Sequence, residues 1–210
     1  RAEAVLMAVG WIGNADELRL SCAGVETAHG YVVVNERLQT SAPHIFAAGD
    51  LTGQMMLVQS ASREAHTAVD NAVLGLQRSG RHSVVPHGGF TDPEYGSVGL
   101  TEAAARQRFR DATAPAVATV PYADLDRAVI DGHANGFCKL IVCPATRKLL
   151  GAHVVGEQAL ETVHLVASGM AAGMTVEQLA DCELAYPTYC AIVGLAARQI
   201  ARAMALVDVA

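Results

Sequence analysis

Thr40-Ser-Ala-Pro-His-Ile-Phe-Ala-Ala-Gly-Asp50 is the stretch from which the rest of the chain is read. It reads as a loop, a short buried strand over Ile45 to Ala48, and a sharp turn at Gly49 that exposes one carboxylate. Leu51 to Gly53 make a brief connector, and Met55 to Leu76 a helix. An apolar strand that ends in Gly-Asp just before a helix suits a nucleotide cofactor. Gly49 lets the backbone approach a ligand closely. Asp50 can accept hydrogen bonds from sugar or polyol hydroxyls, and the N–H groups at the helix start can face an electron-rich ring edge.

Taken with its helix, Thr40 to Asp50 resembles the second FAD-binding motif of the pyridine nucleotide–disulfide oxidoreductases, a family that includes dihydrolipoamide dehydrogenase and mercuric reductase. The resemblance implies FAD as cofactor and NAD(P)H as reductant in the complete enzyme. It implies that Gly49 forms the turn and that Asp50 binds the ribityl chain. The backbone of Met56, Leu57, Val58 and Gln59 would then lie beside the pyrimidine edge of the flavin.

Composition agrees with a globular α/β protein. Of 210 residues, 51% are apolar and 17% charged, with a formal net charge of −6, which argues against a nucleic-acid or polyanion binder. No apolar run is long enough to span a bilayer. The five scattered cysteines are odd in number and fit free thiols in a reducing compartment, so the expected location is cytoplasmic.

The chain opens at Arg1, and its first apolar run, Ala4 to Gly10, reads as a buried parallel strand with no partner near it in sequence. Where the family has Gly-Arg-x-Pro-Asn, this chain has Gly10-Trp-Ile-Gly-Asn14, so Trp11 and Gly13 depart from the pattern. No Gly-x-Gly-x-x-Gly fingerprint occurs. The expectation is therefore the C-terminal portion of a longer flavoenzyme whose N-terminal FAD- and NAD(P)-binding part lies outside this sequence. Leu18, Leu20 and Val25 suggest a helical turn, and Gly30 to Val34 a strand. Helical periodicity after Met55 breaks at Gln77 to Ser83, and Pro86 marks a junction.

Beyond the junction, strands are expected at Gly96 to Leu100, Val117 to Pro121, Gly136 to Val142 and Leu149 to Val155, the last two joined as a hairpin by Pro144 to Lys148. Helices are expected after Thr101 as N-cap, and over Gln158 to Ala172, Val176 to Ala180 and Tyr189 to Met204. In order, Phe90-Thr-Asp-Pro-Glu94, Val98-Gly-Leu-Thr-Glu102, Gly136-Phe-Cys-Lys139 and Leu150-Gly-Ala-His-Val-Val-Gly156 resemble the family's interface domain. The fold class is thus α/β and α+β: the C-terminal half of an FAD-binding Rossmann-like domain, followed by an α+β interface (dimerisation) domain. The boundaries expected are 1–15 for the end of an NAD(P)-binding domain, 16–85 for the FAD-binding part and 86–210 for the interface domain, with a homodimer as the assembly.

Tyr186-Pro-Thr188 stands where most disulfide-reducing relatives carry His-Pro-Thr, and Ala191 where they carry the glutamate that holds the histidine. Tyrosine here is similar to mercuric reductase and to the soluble transhydrogenase, so Tyr186 is the catalytic candidate, on a turn that the resemblance implies is cis. A phenol with a pKa near ~10 is a poor base at neutral pH. The other reading of Tyr186 is packing at an interface. Cys138 and Cys143 imitate the family's redox spacing, but on one strand their Cα atoms would be roughly 16 Å apart and on opposite faces. Cys182 and Cys190 read as buried thiols, His153 as structural, and Arg198 with Arg202 as a solvated helix face. The eight histidines show no close ligand spacing, so no metal site is expected. The function implied is an FAD-dependent NAD(P)H oxidoreductase passing electrons to a disulfide, metal or other small-molecule acceptor. The alternatives are a disulfide-free flavoenzyme, such as a soluble transhydrogenase or quinone-type reductase, and a dimerisation module that is inactive alone.

Overall fold

The alternating apolar pattern of the second half produces an antiparallel sheet in the computed structural model, which describes residues 2–110 and 113–208. The chain forms two units, Arg1–His82 and Ser83–Ala210. In the second unit, strands β3 (His87–Gly89), β4 (Tyr95–Gly99), β5 (Ala116–Pro121), β6 (Phe137–Val142) and β7 (Leu149–Val155) lie in the order β3-β4-β7-β6-β5. Every neighbouring pair is antiparallel. The β6–β7 hairpin pairs Cys138 with Val154 and Leu140 with Ala152, so alternate residues of both strands enter one core.

That core is closed by helices α4 (Ala159–Ala171), α5 (Val176–Ala180) and α6 (Ala191–Asp208). Val163 and Val166 of α4 and Ile192, Val193, Ala196 and Ala197 of α6 are buried among the sheet residues. Burying each such aliphatic side chain is worth about 1.5–3 kcal/mol, which makes this face the chief source of stability in the unit. Helices α2 (Glu102–Arg108) and α3 (Asp126–Asp131) are shorter. Thr101 caps α2, accepting from the Ala104 amide at 3.2 Å.

The first unit is mostly loops and one long helix. Its sheet is a two-residue pair, β1 (Thr27–Ala28) with β2 (Tyr31–Val32), where a strand over Gly30 to Val34 was expected. Short 3-10 turns occupy Asp16–Leu18, Leu20–Ala23 and Gly49–Thr52. The expected strand at Ile45 to Ala48 is reduced to one antiparallel bridge, Gln39 with Phe46. Ala4 to Gly10 is not a strand either, and Val5, Leu6, Met7 and Val9 are 75–91% exposed. A strand exists by hydrogen bonding to a neighbour, and among the described residues none pairs with this run.

Helix α1 spans Val58–Leu74, starting three residues later than expected. Its buried residues are Ser60, Glu64, Thr67, Ala68 and Asn71, while Val58, Val69, Val73 and Leu74 are exposed. The inward face is polar because it ties down loops rather than filling a core. Asn71 shows this: its amide donates to the Arg37 and Arg78 carbonyls at 3.0 and 2.9 Å, and its Oδ1 accepts from the Arg78 amide at 2.9 Å. No helix among the described residues is long and apolar enough to cross a membrane.

Candidate functional site

Two groups of sequence-selected residues fall in separate units and are described separately. In the first unit, Gly49 is buried with φ +78°, a conformation costly for any residue with a side chain. A Cβ there would lie 3.2 Å from the Ala61 Cβ, so the turn sits directly against α1. The Thr52 hydroxyl closes it, donating to the Gly49 carbonyl at 2.9 Å. Asp50 follows, half-buried, and its Oδ2 accepts from the Trp11 indole N–H at 2.7 Å. Gly13 makes this possible, because a Cβ at that position would meet the Leu51 Cα at 2.9 Å and the Asp50 carbonyl oxygen at 3.0 Å. The two departures from the family pattern, Trp11 and Gly13, thus act together against Asp50.

Leu57 is the N-cap of α1 and offers no side-chain acceptor to the first-turn amides. Met56 precedes it, with its sulfur accepting from the Tyr31 hydroxyl at 3.8 Å, and Val58 and Gln59 open the helix on its exposed side. A half-buried carboxylate on a glycine turn is an acceptor for a polyhydroxyl chain. A helix start without a side-chain cap is a donor surface for an electron-rich ring edge. Together these residues fit an FAD ribityl–flavin segment.

In the second unit, Tyr186 is 75% exposed and the Tyr186–Pro187 bond is cis. Its turn is seated by Tyr189, which is buried, lies 6.0 Å from the Tyr122 ring and donates its hydroxyl to Asp131 Oδ2 at 3.0 Å. Arg127 completes the seat, donating to the same oxygen at 2.6 Å with its guanidinium over the Tyr189 ring. Hydrogen bonding to Arg127 holds the Asp131 carboxyl below its ordinary 3.8 despite some desolvation, and burial raises Tyr189. Thr188 donates to the Ala185 carbonyl at 2.7 Å, turning the chain into α6.

Tyr186, Thr188 and Ala191 line a cleft with Asp124, Asp126, Arg127 and Arg198. Interaction with the Asp126 carboxylate, which lines the same cleft, disfavours a phenolate, so the Tyr186 pKa lies above 10.0. Tyr186 is therefore a neutral donor at physiological pH. Arg198 is half-buried and reaches the Ala180 carbonyl at 3.4 Å, so the expected solvated face holds for Arg202 but not for Arg198.

The cysteines are unpaired: Cys138 and Cys143 are buried, Cys182 and Cys190 half-buried, Cys22 exposed. Burial pushes the Cys138 thiol up to about 12. His153 uses both ring nitrogens, Nδ1 with the Ser97 hydroxyl at 2.7 Å and Nε2 with the Leu100 carbonyl at 3.1 Å. Among the described residues no three His, Cys, Asp or Glu side chains gather in a group able to hold a metal ion. Sequence reading missed Asp126 and Tyr189 at the second site. It also missed Glu64 and His82 behind the first, although a glutamate among Ala61, Ala65 and Ala68 was a visible signal.

Residues 85–197 match the family model of the pyridine nucleotide-disulphide oxidoreductase dimerisation domain, and residues 1–65 match that of pyridine nucleotide-disulphide oxidoreductases. Mercuric reductase of Lysinibacillus sphaericus is 35% identical over 197 residues, covering 93% of this chain and 36% of the relative. Dihydrolipoyl dehydrogenase of Vibrio cholerae is 34% identical over 198 residues, covering 94% and 41%. The chain thus spans about two fifths of the length of these curated relatives. Among solved structures, the HOCl-induced flavoprotein disulfide reductase RclA from Escherichia coli superposes with a TM-score of 0.83 at 26% identity, over 92% of this chain and 44% of that one. LpdA from Mycobacterium tuberculosis gives a TM-score of 0.83 at 28% identity, over 92% and 42%. The first unit is accordingly the C-terminal half of a Rossmann-like cofactor domain, and the second an α+β dimerisation domain.

Proposed function

Because the chain belongs to the pyridine nucleotide-disulphide oxidoreductases, we propose that it is the C-terminal part of an FAD-dependent NAD(P)H oxidoreductase acting on a small-molecule acceptor. In this reading residues 1–15 end an NAD(P)-binding domain, 16–85 complete the FAD-binding domain and 86–210 form the interface of a homodimer. FAD, when bound, supplies two-electron transfer between NAD(P)H and the acceptor. The chain's own part is to hold it: Asp50 accepts from ribityl hydroxyls, and the backbone from Met56 to Gln59 donates to the pyrimidine edge. Tyr186 reaches the active site of the partner subunit, where its neutral phenol donates a hydrogen bond on the acceptor side.

The observation that carries the reading is the Gly49–Asp50 turn set against the uncapped start of α1. Loss of a charge-assisted hydrogen bond costs about 1.5–3 kcal/mol, so Asp50→Ala in the complete enzyme should weaken FAD binding by about tenfold or more. Flavin absorbance per chain after desalting, together with the dissociation constant, checks this. Unchanged retention would remove Asp50 from the site.

One observation favours the disulfide-free alternative within the same cofactor chemistry. The cleft that Tyr186 lines holds Ala191 and no histidine, so no imidazole is available in it to deprotonate a dithiol. An acceptor that needs a hydrogen-bond donor, such as a carbonyl-bearing ring, suits the phenol better.

A further inference from the structure

Behind the Gly49–Asp50 turn lies a carboxylate that the cofactor contacts do not use. Glu64 of α1 is fully buried. Its Oε2 accepts from the Gly49 amide at 2.6 Å, and its Oε1 lies 2.6 Å from the His82 Nε2. The His82 side chain is itself only 7% exposed, and its Nδ1 has no hydrogen-bond partner. The proton is therefore on Nε2: the opposite tautomer would bury an N–H at Nδ1 without an acceptor, which costs more than a bare lone pair. Both Glu64 oxygens are then acceptors, one for a backbone amide and one for an imidazole.

A buried carboxylate is an expensive way to fill space, and an aliphatic side chain at this position would pack at lower cost. What the carboxylate provides is direction. With Thr52 on the carbonyl of Gly49 and Glu64 on its amide, both polar groups of this glycine are fixed. Glycine at φ +78° has many other conformations open to it, and each would swing the next residue's side chain elsewhere. His82 is held in turn, because its segment is tied to the loop of residues 36–39: the Gly80 amide donates to the Glu36 carbonyl at 2.8 Å, and Arg81 pairs with the Glu36 carboxylate.

We infer that Glu64, oriented by His82, is the positioning residue of the cofactor turn, holding the Gly49 peptide in the orientation that presents the Asp50 carboxylate to the FAD ribityl chain. This rests on the reading of Asp50 as the ribityl residue. Glu64 does not touch FAD and acts through Asp50.

The test is a double-mutant cycle in the complete flavoenzyme, read as the FAD dissociation constant, with Gly49 amide exchange in the flavin-free protein as a second readout. Glu64→Leu should raise the dissociation constant about tenfold and speed Gly49 exchange, while Glu64→Gln, which keeps one acceptor for the Gly49 amide but turns its NH2 toward His82 Nε2, should fall between Glu64→Leu and wild type. His82→Leu leaves the carboxylate in place but undirected and should likewise be intermediate. It also serves if Glu64→Leu does not fold. In an Asp50→Ala background neither change should weaken binding further, because both act through that carboxylate. A merely structural role predicts additive losses in the cycle, and additivity would overturn the inference. So would a normal dissociation constant in both Glu64→Leu and His82→Leu while Asp50→Ala loses flavin. If Asp50→Ala itself keeps FAD, the parent reading falls and this inference falls with it.

Discussion

At Tyr186 the Asp126 carboxylate in the same cleft disfavours the phenolate, and this decides what the side chain can do. With its pKa above the ordinary 10.0, it donates throughout the neutral range and cannot take a proton there. Tyr186→Phe should leave flavin binding intact and lower turnover with the oxidising substrate, and Asp126→Asn should bring the phenol's ultraviolet titration back toward the ordinary value. An unaltered titration would break the pairing, and full turnover in Tyr186→Phe would reduce the residue to packing. Asp131 supplies the pH dependence of the seat beneath it. Its folded pKa is depressed, so its contribution is complete above the ordinary 3.8 and is lost as pH falls through the lower folded value. Stability measured from neutral pH into acid should therefore lose this increment only below about pH 4, and Asp131→Asn should flatten that acid limb. Asp50 was legible because glycine, a carboxylate and a helix start are contiguous in sequence. Glu64 and His82 were not, since their meeting depends on how the loop of residues 36–39 gathers the end of the unit.

Elements were readable where they carry their own partners. Strands β6 and β7 are joined by a tight hairpin, so the alternation of either one finds its register in the other. Ala4 to Gly10 has the apolar composition of a strand but no neighbour among the described residues, and composition alone forms no ladder. The period of helix α1 shows in the sequence, but its inward face carries Ser60, Glu64, Thr67 and Asn71 beside Ala68, and Glu64 and Asn71 bind loops rather than fill a core. Helix α5 is five residues long and depends on its cap. Thr175 accepts from the Gln178 amide, and the Gln178 side chain accepts from the Thr175 amide at 2.9 Å. Thr175→Ala should cost about 1 kcal/mol, read from the urea midpoint at unchanged slope. A loss below about 0.3 kcal/mol would show that packing of Val176 and Leu179 holds this turn without the cap.

For the whole molecule, exposed apolar side chains are the main statement about assembly. In the second unit Phe90, Val129, Ile130 and Leu206 are between 58% and 87% exposed, and a two-fold interface is one way to cover such side chains. The proposed homodimer should give twice the chain mass in light scattering of the complete enzyme at micromolar concentration, and a single-chain mass would exclude it. The first unit carries a different consequence, through the indole that rests on Asp50. Trp11 is the one tryptophan in 210 residues. Light absorbed at the red edge of the protein spectrum is therefore re-emitted from a single place, one hydrogen bond away from that carboxylate. Anything that draws the carboxylate away changes the brightness or lifetime of this glow. The chain carries its own gauge of that spot, readable without a label.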